Sequence, residues 1–322
     1  MSAPVIVLMF VLGLALTIKG GDLFVDAATW IAEVSGIPKF LIGATIVSLC
    51  TTLPELLVSL MASAEGRIGI AVGNAVGSVT ANTGLIMGIS VVWLASPIDR
   101  KQQAFKYLMM AGAIALLLGF CASGSLGIAA SVVMLALFAA NMGESVAIAR
   151  GAMRGGREDE DEKPEKDRRT VLINAAKFVL GVAGIVVGAD LLVNYGTALA
   201  RLLGVSEAII GATLVAVGTS LPELVTTVTA LVKRQAGLSI GNVVGANIID
   251  LTLILPLCSL VSGKPLPILP QNIRVDMPVC LGLSLLAVVP PLIEGRFRRW
   301  QGVTLLILYA AYVVTLCTGV FG

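Results

Sequence analysis

The side chains best placed to do chemistry in this chain are a few carboxylates, amides and hydroxyls beside prolines in otherwise apolar stretches. Glu55 follows Pro54 and Glu223 follows Pro222. Thr51 and Thr52 precede Glu55 by four and three positions, as Thr219 and Ser220 precede Glu223, so each trio can share one helix face. Downstream, Gly73-Asn74, Gly77-Ser78 and Asn82 are matched by Gly241-Asn242, Gly245-Ala246 and Asp250. Ser78 and Asn82 are again one helical turn apart, and the glycines are expected to permit close helix approach. Proline has no N–H, so the carbonyls of Cys50 and Gly218, four residues earlier, lose their helical partners. This inventory offers only oxygen. It suits hard cations, of which Ca²⁺ takes about 6–8 oxygens. Glu55 and Glu223 supply two negative charges, which one Ca²⁺ or two Na⁺ would neutralise. Competition for the same carboxylates is the minimal requirement for exchange.

Composition says where these groups lie. The 322 residues are 57% hydrophobic and 13% charged, with a mean hydropathy of +0.96 and no histidine. A soluble chain carries about a quarter charged residues. Of the 42 charged side chains, 14 fall in residues 150–169, leaving far too few elsewhere to solvate a water-facing surface. The chain is therefore read as an integral membrane protein whose first partner is the lipid bilayer. The missing histidine excludes HExxH metallopeptidases, Ser-His-Asp hydrolases and imidazole-rich metal sites, so no enzyme and no resident cofactor are expected. A net charge of +2 without a basic-aromatic patch gives no sign of nucleic-acid binding. Cys50, Cys121, Cys258, Cys280 and Cys317 form no CxxC pair and read as small buried apolar residues.

The elements that must position the polar groups are membrane-spanning helices of about 20 apolar residues each. Apolar stretches fall near 4–30, 40–64, 68–95, 103–122, 125–149, 171–200, 206–232, 237–261, 274–293 and 300–320, which predicts an all-α integral membrane fold of ten transmembrane helices. The first stretch lacks a basic leader and reads as a span, not a signal peptide. Between spans five and six, residues 150–170 form a charged, solvated linker with seven acidic and seven basic side chains. It separates an N-terminal half, 1–149, from a C-terminal half, 171–322. Sixteen Lys and Arg residues fall on the linker's side of the membrane, counting Lys106, against Arg67, Arg201, Lys264 and Arg274 on the other. The positive-inside rule then places the linker in the cytoplasm of a multi-pass cell-membrane protein, with both termini outside. Trp30, Trp93 and Trp300 fall at span ends on the cytoplasmic side, as interfacial anchors do. Asp22 and Asp190 read as structural or gate residues, with Lys19 near enough to pair with Asp22, and Glu144 as interfacial.

The two halves repeat each other. Residues 43–82 and 211–250 align without a gap at an offset of 168, with 15 of 40 positions identical. The same offset aligns Gly20-Gly21-Asp22-Leu23 with Gly188-Ala189-Asp190-Leu191. Five spans per half is an odd number, so the second half enters the membrane from the opposite side. Two inverted five-helix repeats result, an arrangement used by many secondary transporters.

Cys50-Thr51-Thr52-Leu53-Pro54-Glu55, its partner Gly218-Thr219-Ser220-Leu221-Pro222-Glu223, and both Gly-Asn-x-Val-Gly stretches resemble the paired signature repeats of the cation/Ca²⁺ exchanger superfamily, in its prokaryotic Na⁺/Ca²⁺ exchanger branch. The resemblance covers nearly the whole chain. It implies clustered sites for transported Ca²⁺ and Na⁺ between spans two, three, seven and eight, with spans one and six sliding to switch access. Glu55 and Glu223 would be central ligands of both ions, and Thr51 and Thr219 would give carbonyl oxygens to Ca²⁺. Ser48 and Ala216 would offer carbonyls, and Thr52 and Ser220 hydroxyls, to flanking Na⁺ sites; Ser78 would bind Na⁺, and Asn82 and Asp250 complete the centre. Cys50 stands where the family has glycine, Thr52 where it has serine, and Val79 where it often has asparagine, which Asn247 keeps. Ala246 replaces a serine whose hydroxyl binds Na⁺, so the external Na⁺ site is expected to be weaker. The alternatives are an H⁺-coupled or K⁺-dependent antiporter and, in a different class, a cation channel. The H⁺/Ca²⁺ branch is disfavoured because Gly73-Asn74-Ala75 continues as Val76-Gly77-Ser78, without that branch's acidic residue. The chain is expected to act as a monomer.

Overall fold

A computed structural model describes residues 3–154, 167–202 and 218–318. The described residues are almost wholly helical. The N-terminal elements are α1 (Ala3–Ser35), α2 (Lys39–Ile42), a π-helical turn Gly43–Val47, α3 (Ser48–Thr51), α4 (Leu53–Ala64) and α5 (Ile68–Ala81). A second π segment, Asn82–Met87, leads into α6 (Gly88–Trp93), followed by α7 (Arg100–Cys121) and α8 (Ile128–Arg154). After the linker come α9 (Arg168–Leu202), α10 (Leu221–Val232), α11 (Ala236–Ile249), a π segment Asp250–Ile254 and α12 (Leu255–Ser262). A last π segment, Asn272–Asp276, opens α13 (Met277–Glu294), and α14 (Arg299–Cys317) follows. Two short strands, β1 (Ser125–Leu126) and β2 (Leu266–Pro267), pair antiparallel with Ser125 opposite Pro267.

Local chemistry accounts for many of these boundaries. Helix α1 stops where Gly36 takes a left-handed φ of 71° and Pro38 cannot continue the hydrogen-bond ladder. Helix α9 starts behind Asp167, whose carboxylate accepts the N–H groups of Arg169 at 3.2 Å and Thr170 at 3.0 Å. Those bonds, led by Thr170, hold the Asp167 carboxyl below the usual carboxylate range. The π segments Asp250–Ile254 and Asn272–Asp276 each end two residues before a proline, Pro256 and Pro278. A widened turn eases the clash between a proline ring and the carbonyl four residues back. Pro290 similarly strips the Leu286 carbonyl of its helical donor, and the Gln301 side-chain amide donates to that oxygen at 3.5 Å.

The described residues form two compact units, each taking segments from both halves of the sequence: 1–51 with 145–242, and 52–144 with 243–322. In the first, α1 lies against α9 so closely that a Cβ at Gly20 would stand 2.6 Å from the Ile185 nitrogen. Phe24, Val25, Ala28, Ile185 and Ala230 form its buried core. In the second, Val72, Val76, Ile114, Leu117, Leu251, Leu255 and Met277 pack into a larger core joining α5, α7, α12 and α13.

Eight helices among the described residues are long and apolar enough to cross a membrane, and a ninth span arises if the pair Lys39–Thr51 and Leu53–Ala64, bent by 46°, counts as one. The protein is thus a helical membrane protein with eight to nine such spans among its described residues. The expected seventh span, 206–232, is described only from residue 218 onward and contributes the short apolar helix α10.

The structure adds partners to three readings of charge. Lys106, taken as a loop residue in the orientation count, is fully buried in α7; its ammonium bonds Asn141 Oδ1 at 2.5 Å and the Asn141 carbonyl at 3.0 Å. Glu144, read as interfacial, is its ion-pair partner at 2.9 Å. Asp22 sits 4.0 Å from Lys19, but Lys233 approaches closer, at 3.5 Å from Asp22 and 2.7 Å from Asp26. Among the cysteines, Cys121, Cys258 and Cys280 are buried, Cys50 is half-exposed, and the Cys317 side chain lies outside the described residues. The Lys106 pair is testable. Lys106→Met strands Glu144 without its cation, and thermal unfolding in detergent should show a loss of roughly 3 kcal/mol, the low end for a buried pair because Glu144 is 24% exposed. Adding Glu144→Gln should recover most of that loss; additive losses in the double variant would contradict the pairing.

Candidate cation-binding site

The proline-marked breaks have the same geometry in both repeats. Thr52 leaves the helix at φ −82°, ψ 0°, and Ser220 at φ −86°, ψ 8°. Each precedes a 12-residue helix with proline in its first turn, and Glu55 or Glu223 falls in that turn. A helix N-terminus carries partial positive charge, which favours a carboxylate there. The hydroxyls of Thr52 and Ser220 occupy the N-cap positions yet make no capping bond. The following helices, α5 and α11, both have 14 residues and both run into π segments headed by Asn82 and Asp250. From the start of each proline-led helix to the start of each π segment, every matched boundary keeps the offset of 168.

Five of the expected ligands lie within the second unit: Thr52, Glu55, Ser78, Asn82 and Asp250, each 1% exposed or less. The π segment at Asp250 packs against α4 and α5. Asn74 ties these helices together, its Nδ2 donating to Ser59 Oγ at 2.9 Å and to the Glu55 carbonyl at 3.3 Å. Asn247 Nδ2 donates to Thr83 Oγ1 at 2.8 Å and so joins α11 to the π turn that carries Asn82. Ser78 Oγ and Asn82 Oδ1 are buried with no hydrogen-bond partner among the described residues. Buried oxygens without a protein partner are what a desolvated cation requires.

Ser48, Thr51, Thr219, Ser220 and Glu223 belong to the first unit; Glu223 and Ser48 are fully buried, Thr51 and Ser220 nearly so, and Thr219 is partly exposed. Here Asn242 plays the part of Asn74, its Nδ2 donating to Thr227 Oγ1 at 3.2 Å. Thr227 is the repeat counterpart of Ser59. The Thr51 hydroxyl lies 3.2 Å from both Asn242 Oδ1 and the Ser48 carbonyl, with one proton to give to either. Close packing explains Gly241, where a Cβ would meet the Phe40 carbonyl at 2.2 Å. It does not explain Gly73 or Gly77, where a Cβ would meet nothing within 4 Å. Ala216 lies outside the described residues, and Ala246 is wholly buried. Among the described residues no group of three or more His, Cys, Asp or Glu could hold a metal ion.

The sodium/calcium exchanger protein family model matches residues 5–144 and 173–318. The chain belongs to this family. As an exchanger-family protein it is 32% identical to the sodium/calcium exchanger MaX1 of Methanosarcina acetivorans, across 96% of this chain and 97% of that one. It is also 32% identical to the membrane protein MJ0091 of Methanocaldococcus jannaschii, over 96% of this chain and 97% of the relative. Its fold matches the solved sodium-calcium exchanger NCX_Mj, soaked with Na⁺ and Ca²⁺, at a TM-score of 0.82 and 32% identity, covering 98% of this chain and 99% of that one.

The paired asparagines are the site feature that the sequence displayed without revealing their contacts. Their spacing from Ser59 and Thr227, 15 residues in both repeats, was the available signal. Asn242→Leu deprives the Thr227 and Thr51 hydroxyls of a shared partner. A thermal unfolding loss of about 1–3 kcal/mol is expected, and wild-type stability would show the bridge to be idle.

Proposed function

We propose that this exchanger-family protein is a secondary-active antiporter that moves Ca²⁺ against Na⁺ by alternating access. Its ten spans would form two inverted five-helix repeats in the cell membrane, with residues 150–170 in the cytoplasm, both termini outside, and no catalytic activity. The observation that carries the reading is the duplicated break. At one fixed offset, a proline-led helix begins with a buried glutamate, preceded by a hydroxyl residue whose side chain makes no cap bond. Ionisable groups within a membrane are costly and mark ion pathways, and a duplicated one fits a carrier whose two repeats exchange roles.

Glu55, Glu223 and Asp250 would carry the charge that holds Ca²⁺ or Na⁺. Thr51, Thr219, Ser48 and Ala216 would add carbonyl oxygens, while Thr52, Ser220 and Ser78 would supply hydroxyls and Asn82 its amide oxygen. With no hydroxyl at Ala246, one Na⁺ position is poorer by a ligand.

Proteoliposomes with an outward Na⁺ gradient should accumulate radiolabelled Ca²⁺ well above vesicles with equal Na⁺ on both sides. Equal uptake would reject Na⁺ coupling, and H⁺ or K⁺ gradients in its place would identify another driving ion. Glu55→Gln and Glu223→Gln should each reduce exchange by at least about a hundredfold, the equivalent of 2.7 kcal/mol or more. Wild-type transport in either would remove these glutamates from the site.

A further inference from the structure

Asp276 is a buried carboxylate for which neither the repeat nor the expected ligand set has any use. It ends the π segment Asn272–Asp276 and is 7% exposed. Its Oδ2 accepts from Asn272 Nδ2 at 2.7 Å, and its Oδ1 accepts from the Tyr312 hydroxyl on α14 at 2.9 Å. Both donors are neutral. Among the described residues no basic side chain lies within ion-pair distance of it, and Arg274, two positions earlier, is exposed. The second observation concerns Asn272, which is 93% buried and whose Oδ1 has no hydrogen-bond partner among the described residues.

We propose that Asp276, Asn272 and Tyr312 form an additional binding position for a monovalent hard cation, Na⁺, apart from the set built on Glu55, Glu223 and Asp250. An ionised carboxylate offers about four acceptor positions, and two neutral donors occupy only two. The Asn272 amide has a broad, two-fold terminal torsion, so half a turn replaces its nitrogen with its unspent oxygen beside Asp276 Oδ2. One group then supplies a hydrogen bond when the site is empty and a ligand when it is filled. Charge selects the occupant: one Na⁺ neutralises one carboxylate, whereas Ca²⁺ would leave a net positive charge in a desolvated place. A purely structural link between α13 and α14 needs no charge at all, since a neutral amide could accept the Tyr312 hydrogen bond.

The segment that carries the position reaches the surface. Gln271 and Arg274, at the same end of the segment, are exposed. This inference goes beyond the proposed antiport and needs only that Na⁺ reaches the protein.

The test is Na⁺-dependent thermal protection of the purified full-length protein, titrated against choline at constant ionic strength, which requires no transport. Asp276→Asn should raise the half-saturating Na⁺ concentration at least about fivefold, and Asp276→Glu should restore most of the shift. Asn272→Ala keeps the charge and removes the amide oxygen; an increase of about threefold is expected, which keeps the idea testable if Asp276→Asn folds poorly. Unchanged Na⁺ protection in both Asp276→Asn and Asn272→Ala, or equal protection of the wild type by K⁺, would overturn the assignment. Loss of Ca²⁺ exchange in the wild type would instead count against the antiport itself and leave the Na⁺ titration readable.

Discussion

A carboxylate inside a bilayer has to be compensated, and that constraint organises much of this protein. Burying a charge without a partner costs far more than a fold can absorb. Each of the matched glutamates is therefore set in the first turn of a helix that a proline has restarted, where the helix dipole and the adjacent hydroxyls favour it. The same proline has no N–H, so the carbonyl four residues earlier, that of Cys50 or Gly218, loses its helical donor. The asparagines at 74 and 242 then bind each restarted helix to the one that follows, so the carboxylates stand on braced elements rather than on loops.

The same constraint shows in the charges that the protein satisfies itself. Lys106 and Glu144 answer each other within α7 and α8. Lys233 answers Asp22 and Asp26 within α1. Ser78 and Asn82 keep oxygen atoms that no described residue uses, in the same unit as Glu55 and Asp250. A Ca²⁺ or Na⁺ ion would complete such a set, and each would do so at the expense of the other.

Much of the arrangement was legible in the sequence because a bilayer writes plainly. Apolar runs mark helices, a proline within one marks a break, and a fixed offset of 168 duplicates every boundary from Thr52 to Asp250. What the sequence hid were contacts between distant residues. Lys106 lies near a predicted loop, and only the fold shows that it turns inward to Asn141, 35 positions away. Gly73 and Gly77 look like packing glycines, yet a Cβ at either would meet open space, whereas Gly241 in the matching stretch is pressed against the Phe40 carbonyl. Duplicated sequence therefore does not impose duplicated packing. Asp276 has no counterpart in the signature repeats, and its partnership with Tyr312 spans 36 residues and two helices, beyond any periodicity.

The central claim is that Ca²⁺ and Na⁺ satisfy the same buried carboxylates. Equilibrium Ca²⁺ binding to the purified protein, titrated at increasing Na⁺ with ionic strength held by choline, tests it most directly. Shared ligands predict an apparent Ca²⁺ dissociation constant that rises without limit as Na⁺ increases, with a log–log slope of about two or more because at least two Na⁺ must replace one Ca²⁺. A Ca²⁺ affinity that is indifferent to Na⁺, or that levels off at a plateau with both ions bound, would contradict it.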